Sequence, residues 1–251
     1  MYKDQRKLVR LTEECWHCLS ILRDTGYAHM YTVFWAENAQ SIQQAVRRMH
    51  PDISGDWLRA QIEGKTVTFS LSDEFIESYK PRIVEFSSFG TAVRMLGAYE
   101  DYIKRIVDIS RKRIPEQIAE FRARHRGINN RNSFIKAEVG RGVDFAQEVF
   151  GFDPQPSYRP CLEFFFQLRN VAVHNSGIVD QRLFDAANNP YIDMVGTLRV
   201  GDKISWNPSS TLQLQHLLTE MLPAIDPLVA GKLNLETIEG QAYWYRNGGG
   251  D

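Results

Sequence analysis

The sequence predicts a mainly α-helical protein: a helical bundle with one small β-hairpin, preceded by a mostly helical N-terminal region. Three observations carry this. Apolar residues recur at three- and four-residue spacing through long stretches between residues 87 and 233. Period-2 alternation is confined to two short segments, 66–72 and 194–207. The composition, 43% hydrophobic and 24% charged, is that of an ordinary globular chain with ample core.

The elements follow in order. Residues 12–25 (TEECWHCLSILRDT) read as a helix with Thr12 as N-cap, Glu13 and Glu14 in the first turn and a stop at Gly26. An aromatic-rich stretch, YAHMYTVFW, comes next. Ser41 then caps SIQQAVRRM, which ends before Pro51. DWLRAQIEGK reads as a short helix, and TVTFSLS as a strand with Val67, Phe69 and Leu71 on one face. Pro81 closes this N-terminal third, residues 1–84, which shows no chemistry of its own.

From Ser87 the helices lengthen. Phe89, Val93, Leu96, Ile103 and Ile106 form an amphipathic stripe. Pro115 kinks that helix or opens the next at its first position, and EQIAEFRARHRG continues to Gly127. After the loop GINNRNS comes a helical stretch, FIKAEVGRGVDFAQEVF, with two internal glycines. FDPQPSYRP links it to a helix opened by Pro160 and stopped at Asn175-Ser176-Gly177. A hairpin turns at Gly201-Asp202. Ser210 and Gln213 form a capping box for a helix interrupted at Pro223 and Pro227. The main domain spans 85–235, and 236–251 reads as a flexible tail.

Length and charge bound the function. The chain has 251 residues and a net charge of -1, so a nucleic-acid surface has to come from local segregation of charge. Three cysteines argue against a disulfide framework and for a reducing compartment. The first residues lack a signal-peptide core, and no stretch approaches the ~18 apolar residues of a membrane helix. A cytoplasmic protein without membrane contact is the expectation.

The stretch Leu168-Arg-Asn-Val-Ala-Val-His-Asn-Ser-Gly177 carries the chemistry. Arg169 and Asn170 interrupt an apolar run from Cys161 to Val173, and His174 follows it directly. A permanent guanidinium near an imidazole that titrates around neutrality is what metal-free phosphodiester cleavage requires. The plain alternative is a polar network tying helices together, or a partly exposed face. Asn170 and His174, four apart, share a helix face. Arg169 and His174, five apart, lie about 140° round the axis and do not stack. That spacing fits a site completed by a second copy of the helix. His174 falls in the last turn, where the negative end of the helix dipole favours an imidazolium. Its role would be general acid to a leaving 5′-oxygen, with Arg169 stabilising the phosphorane and Asn170 orienting the reacting groups. Arg23 before His29 and Arg10 before His17 are chance pairs; neither has the asparagine.

These residues resemble the signature helix of the HEPN superfamily: arginine, a polar residue, a short spacer, then histidine. Glu100-Asp-Tyr-Ile resembles the same family's first long helix. The resemblance covers residues 85–235 and implies a HEPN-like bundle that dimerises, bringing two Arg-Asn-x3-His motifs into one cleft. It implies Arg169, His174 and Asn170 as catalytic residues, and a metal-independent endoribonuclease of a toxin–antitoxin or antiphage system. No cofactor and no metal are implied. Other members of that superfamily are non-catalytic dimerisation or binding modules, and some are modified by a partner nucleotidyltransferase. Both remain open here, as does an antitoxin or defence-complex partner.

Lys104, Arg105, Arg111, Lys112, Arg113, Arg122, Arg124, Arg126 and Arg131 crowd one region and are candidate RNA contacts, the alternative being a solvated helix face. Tyr99 and Tyr102 are stacking candidates, although their spacing suits core packing better. Cys15-Trp-His-Cys18 lacks the further ligands of a zinc site and the preceding strand of a redox motif, and reads as two reduced core cysteines. His17, His29, His50, His125 and His216 show no ligand spacing. Gly140-Arg-Gly142 lacks the rest of a phosphate loop, and no nucleophile elbow is present.

Overall fold

The computed structural model describes residues 7–49, 57–62, 64–70, 72–125, 141–192, 198–204, 206 and 208–242. Helices dominate it. In chain order come β1 (Lys7–Leu11), α1 (Glu13–Glu37), α2 (Ala39–Met49), β2 (Trp57–Ile62), β3 (Lys65–Ser70), α3 (Asp73–Arg113) and α4 (Pro115–Arg124). Then follow α5 (Arg141–Phe150), α6 (Tyr158–His174), α7 (Gln181–Ala187), α8 (Pro208–Leu233) and β4 (Ile238–Ala242). None of the described helices is long and apolar enough to cross a membrane.

The core sits where α1, α3 and α8 meet, with α6 closing it on another side. The 41-residue α3 is the spine, about 60 Å long at 1.5 Å per residue. Its buried face includes Met95, Leu96, Tyr99, Tyr102, Ile103 and Ile106, the face expected from the periodicity. Both tyrosines pack in this core and offer no stacking surface. A buried carboxylate, Asp226 on α8, ties three elements together. Thr12 donates to it from its backbone N–H (2.6 Å) and its hydroxyl (2.7 Å), and the Tyr102 hydroxyl donates at 2.9 Å. The expected N-cap also holds: Thr12 Oγ1 accepts from the Cys15 N–H at 3.2 Å. Cys15 and Cys18 are buried free thiols on α1. Desolvation, the largest cause, raises both pKa values, pushing Cys18 up to about 12.

Several expectations are corrected. Gly26 does not stop α1, which runs on to Glu37. The glycine leaves room for the Gln215 amide, which donates to the Leu22 carbonyl at 3.1 Å. DWLRAQIEGK is not helical: its residues 57–62 are strand β2, antiparallel to β3, with Gly64 at φ 75° supplying the tight turn. Pro81 lies inside α3, its ring exposed, so one helix passes unbroken through the boundary placed at 84–85. The packing of α1 against α3 and α8 puts Leu11, Cys15, Cys18 and Leu22 of the N-terminal third in the same core. Pro223 and Pro227 likewise lie within α8, whose buried residues from Ser210 to Leu233 hold the helix together across the missing donors.

The tail read as loose begins instead with β4, which pairs antiparallel with β1, Leu11 opposite Ile238 and Lys7 opposite Ala242. Trp16 locks this pair by donating from Nε1 to the Ile238 carbonyl at 3.0 Å. The turn at Gly201-Asp202 is present (φ 95° at Gly201), while residues 193–197, 205 and 207 of the hairpin read around it lie outside the described residues. The described part of 198–204 bonds to residues 177–179, with a single bridge between Ile178 and Lys203.

Gly142, one of the two glycines inside the stretch FIKAEVGRGVDFAQEVF, has a packing reason. A Cβ there would strike the buried Tyr99 hydroxyl. Gly142→Ala is expected to lower stability by about 1–3 kcal/mol through overpacking. Gly90→Ala, where the space is open, is expected to raise it by about 0.5–1 kcal/mol through helix propensity. Urea midpoints of the two variants give the comparison, and two shifts of the same sign would refute this account.

Candidate functional site

Helix α6 is anchored by an apolar face of Leu162, Phe164, Phe165, Phe166, Leu168 and Val171, all buried. Arg169 and Asn170 stand at the edge of that face, both half-buried. Arg169 Nη1 donates to Glu100 Oε1 on α3 at 2.8 Å, and Nη2 donates to Asn170 Oδ1 at 3.4 Å. Its guanidinium carbon lies 4.8 Å from the Phe166 ring centroid. Lys104 Nζ lies 4.0 Å from the other Glu100 oxygen. Arg169 and Glu100 are only 21% and 16% exposed, so the pair is shielded enough to be well ordered while one edge stays open to a ligand. Glu100 carries the acidic position of the resembling stretch; sequence reasoning gave it no role.

His174 is the last residue of α6 and is exposed. The stop after it is a left-handed cap: Ser176 and Gly177 have φ of 52° and 76°. The Asn175 and Gly177 N–H groups both donate to the Val171 carbonyl, at 3.0 and 3.1 Å. Bonds from the Val179 N–H to the Asp202 carbonyl (2.9 Å) and from the Ile204 N–H to the Gly177 carbonyl (2.8 Å) pin the 199–202 turn against this end. Arg169 thus sits against α3 with Asn170 beside it, one turn before an exposed imidazole. The structure places no direct bond between Arg169 and His174, in keeping with their angular separation.

Beside the end of α6 lies a groove of about 300 Å³. Ala172, Ser176 and Gly177 form one wall, and Phe86, Phe89, Ile204 and Trp206 supply apolar lining. Arg82, Glu85 and Lys203 bring charge to it. The Trp206 ring meets Phe89 edge-on at 5.5 Å and is fixed by a 3.1 Å bond from its Nε1 to Thr211 Oγ1. Sequence reasoning missed this groove. Its signal was the stripe Arg82, Glu85, Phe86, Phe89, spaced i, i+3, i+4, i+7, with a phenylalanine among charges on an otherwise solvated face.

The basic candidates divide. Arg105 and Lys112 are exposed along α3, and Arg122 is exposed on α4. Lys104 pairs with Asp101 at 3.3 Å, Arg111 with Asp108 at 3.9 Å and Arg124 with Glu148 at 3.2 Å. Arg113 caps the C-terminal end of α8, donating to the Leu233 carbonyl and, at 2.8 Å, to the Asn234 carbonyl. Arg126 and Arg131 lie outside the described residues. The run is a mixed surface with acids interleaved, not an unbroken cationic stripe.

His29 is buried, its Nδ1 3.1 Å from Ser87 Oγ, and burial pushes its pKa down. His125 pairs with Glu148 and His216 with Glu220. Among the described residues no group of three or more His, Cys, Asp or Glu side chains is placed to hold a metal ion. Compared with family models, with curated proteins and with solved structures, the chain matches none of them.

Proposed function

We propose that the protein is a metal-independent endoribonuclease acting as a homodimer. The observation that carries this reading is the end of α6: a half-buried guanidinium held by Glu100, an asparagine beside it, and an exposed histidine one turn on. The RNA 2′-hydroxyl attacks its own phosphate in line, leaving a 2′,3′-cyclic phosphate and a 5′-hydroxyl. His174 transfers the proton, Arg169 neutralises the charge that develops on the phosphorane, and Asn170 orients the phosphate. The angle between Arg169 and His174 supports a cleft shared by two copies of α6, each giving its arginine to the phosphate near the other's histidine. Arg105, Lys112 and Arg122 supply exposed positive charge for the backbone. By resemblance, such a nuclease belongs to a toxin or antiphage system and is restrained by an antitoxin or a defence-complex partner.

The test is to incubate the protein with total RNA in EDTA and map the cleaved ends. Cyclic phosphates and 5′-hydroxyls are expected, with His174→Ala slower by about 10²–10⁴-fold. Activity that disappears with EDTA, or a variant that cuts like the wild type, would overturn the mechanism. A second reading has its own support. The 2.8 Å Arg169–Glu100 pair also suits an ion pair that joins α3 to α6 in a non-catalytic binding module. That reading expects RNA binding without cleaved ends.

A further inference from the structure

The groove beside α6 has the chemistry of a nucleobase subsite. One stripe of α3 presents Arg82, Glu85, Phe86 and Phe89 to it, and Lys203 faces it from the turn pinned to the end of α6. Phe86 is 78% exposed, so its ring face is open to a ligand in the groove. Aromatic faces among cations suit an unpaired base joined to a phosphate. Glu85 enters no ion pair among the described residues, and a carboxylate is an unusual group to place in a site for a polyanion. It repels phosphate, so it needs a donor-rich partner.

Guanine is the base that provides one. Its N1–H and N2–H lie side by side and match the two acceptor oxygens of a carboxylate. Adenine and cytosine set an acceptor ring nitrogen next to their amino group, and uracil flanks its single N–H with carbonyls. Arg82, three residues before Glu85 on the same face, carries the donors that suit guanine O6 and N7. We propose that this groove binds a guanine of the RNA strand next to the phosphate at His174, with Glu85 reading the base, Phe86 stacking on it and Lys203 holding an adjoining phosphate. This rests on the RNA-cleavage reading only for its ligand, since binding is measurable without cleavage.

The experiment uses the full chain and 2′-O-methyl RNA hexamers, which cannot be cleaved by 2′-hydroxyl attack. One guanine in a uracil background is compared with adenine and with hypoxanthine, which lacks the N2 amino group. The wild type is expected to prefer guanine over adenine by roughly tenfold to a hundredfold and to lose part of that preference with hypoxanthine. Glu85→Gln is expected to bring guanine binding down to the level of adenine, with adenine RNA bound at least as tightly as by the wild type because a charge that repels phosphate is gone, which also shows that the variant is folded. Equal binding of guanine and adenine by the wild type, or a preference that survives in Glu85→Gln, overturns the proposal. Guanosine monophosphate binding as tightly as the hexamer also overturns it, because the occupant would then be a free nucleotide. Absence of cleaved ends in the total-RNA assay counts against the nuclease reading alone.

Discussion

Replacing Arg169 with alanine is expected to lower RNA cleavage about 10²–10³-fold, the loss typical of removing one preorganised donor to a developing oxyanion. The geometry gives the reason. Glu100 and Phe166 hold the guanidinium from two sides, at 2.8 Å and 4.8 Å, so little reorganisation remains when charge develops on the phosphate. Arg169→Lys keeps the charge but loses the planar fork that meets Glu100 and a phosphate together, and is expected to be nearly as slow. The same change leaves Glu100 with only Lys104, 4.0 Å away, so Arg169→Ala also costs about 1–3 kcal/mol of stability. Single-turnover rates and melting curves, measured together, separate the two effects. An alanine variant that melts earlier yet cuts at the wild-type rate would make Arg169 a strut between α3 and α6 and nothing more.

The second large effect is expected at Asp226. Asp226→Ala strands the Tyr102 hydroxyl and both Thr12 donors in the core, at about 3–4 kcal/mol. That corresponds to a fall of roughly 10 °C in melting temperature for a chain of this size. Asp226→Asn keeps an acceptor in the same place and is expected to cost less. The pH dependence follows from the direction of the shift. Burial raises the carboxyl pKa above its ordinary value of 3.8, and the bonds from Thr12 and Tyr102 offset only part of that. The folded state therefore binds this proton more tightly than the unfolded chain does. Its contribution is fully present below the unfolded value and is lost as pH rises through the folded one. Urea midpoints across that window should fall for the wild type relative to Asp226→Asn; parallel curves would show that the group does not titrate there.

Legibility varied with the range of the interaction that decides each element. The stripe of α3 and the caps at Thr12 and Ser176-Gly177 were readable because periodicity and capping act within a few residues. Gly26, Pro81, Pro223 and Pro227 misled because their local cost, about 1 kcal/mol for glycine and about 3 for proline, is smaller than the burial gained by continuing α1, α3 and α8. Strand β1 was invisible because the strand it pairs with, β4, lies far along the chain. Arg169, Asn170 and His174 stood out as polar residues at an apolar run. Glu85 did not, because a single acid on a charged helix face looks like every other solvated acid until Lys203 and Trp206 arrive beside it.

By itself the sequence determined that the chain is mainly helical, that α6 carries Arg169 and Asn170 one turn before His174, and that this helix stops at Asn175-Ser176-Gly177. These are consequences of spacing, caps and backbone conformation, and each acts over a few residues. Only the tertiary structure decided that Glu100 meets Arg169, that Asp226 joins three elements, and that Arg82, Glu85 and Lys203 share one groove. Those contacts join residues 69 to 214 positions apart in the bonds that define them, and such distances close only when apolar burial brings whole helices together.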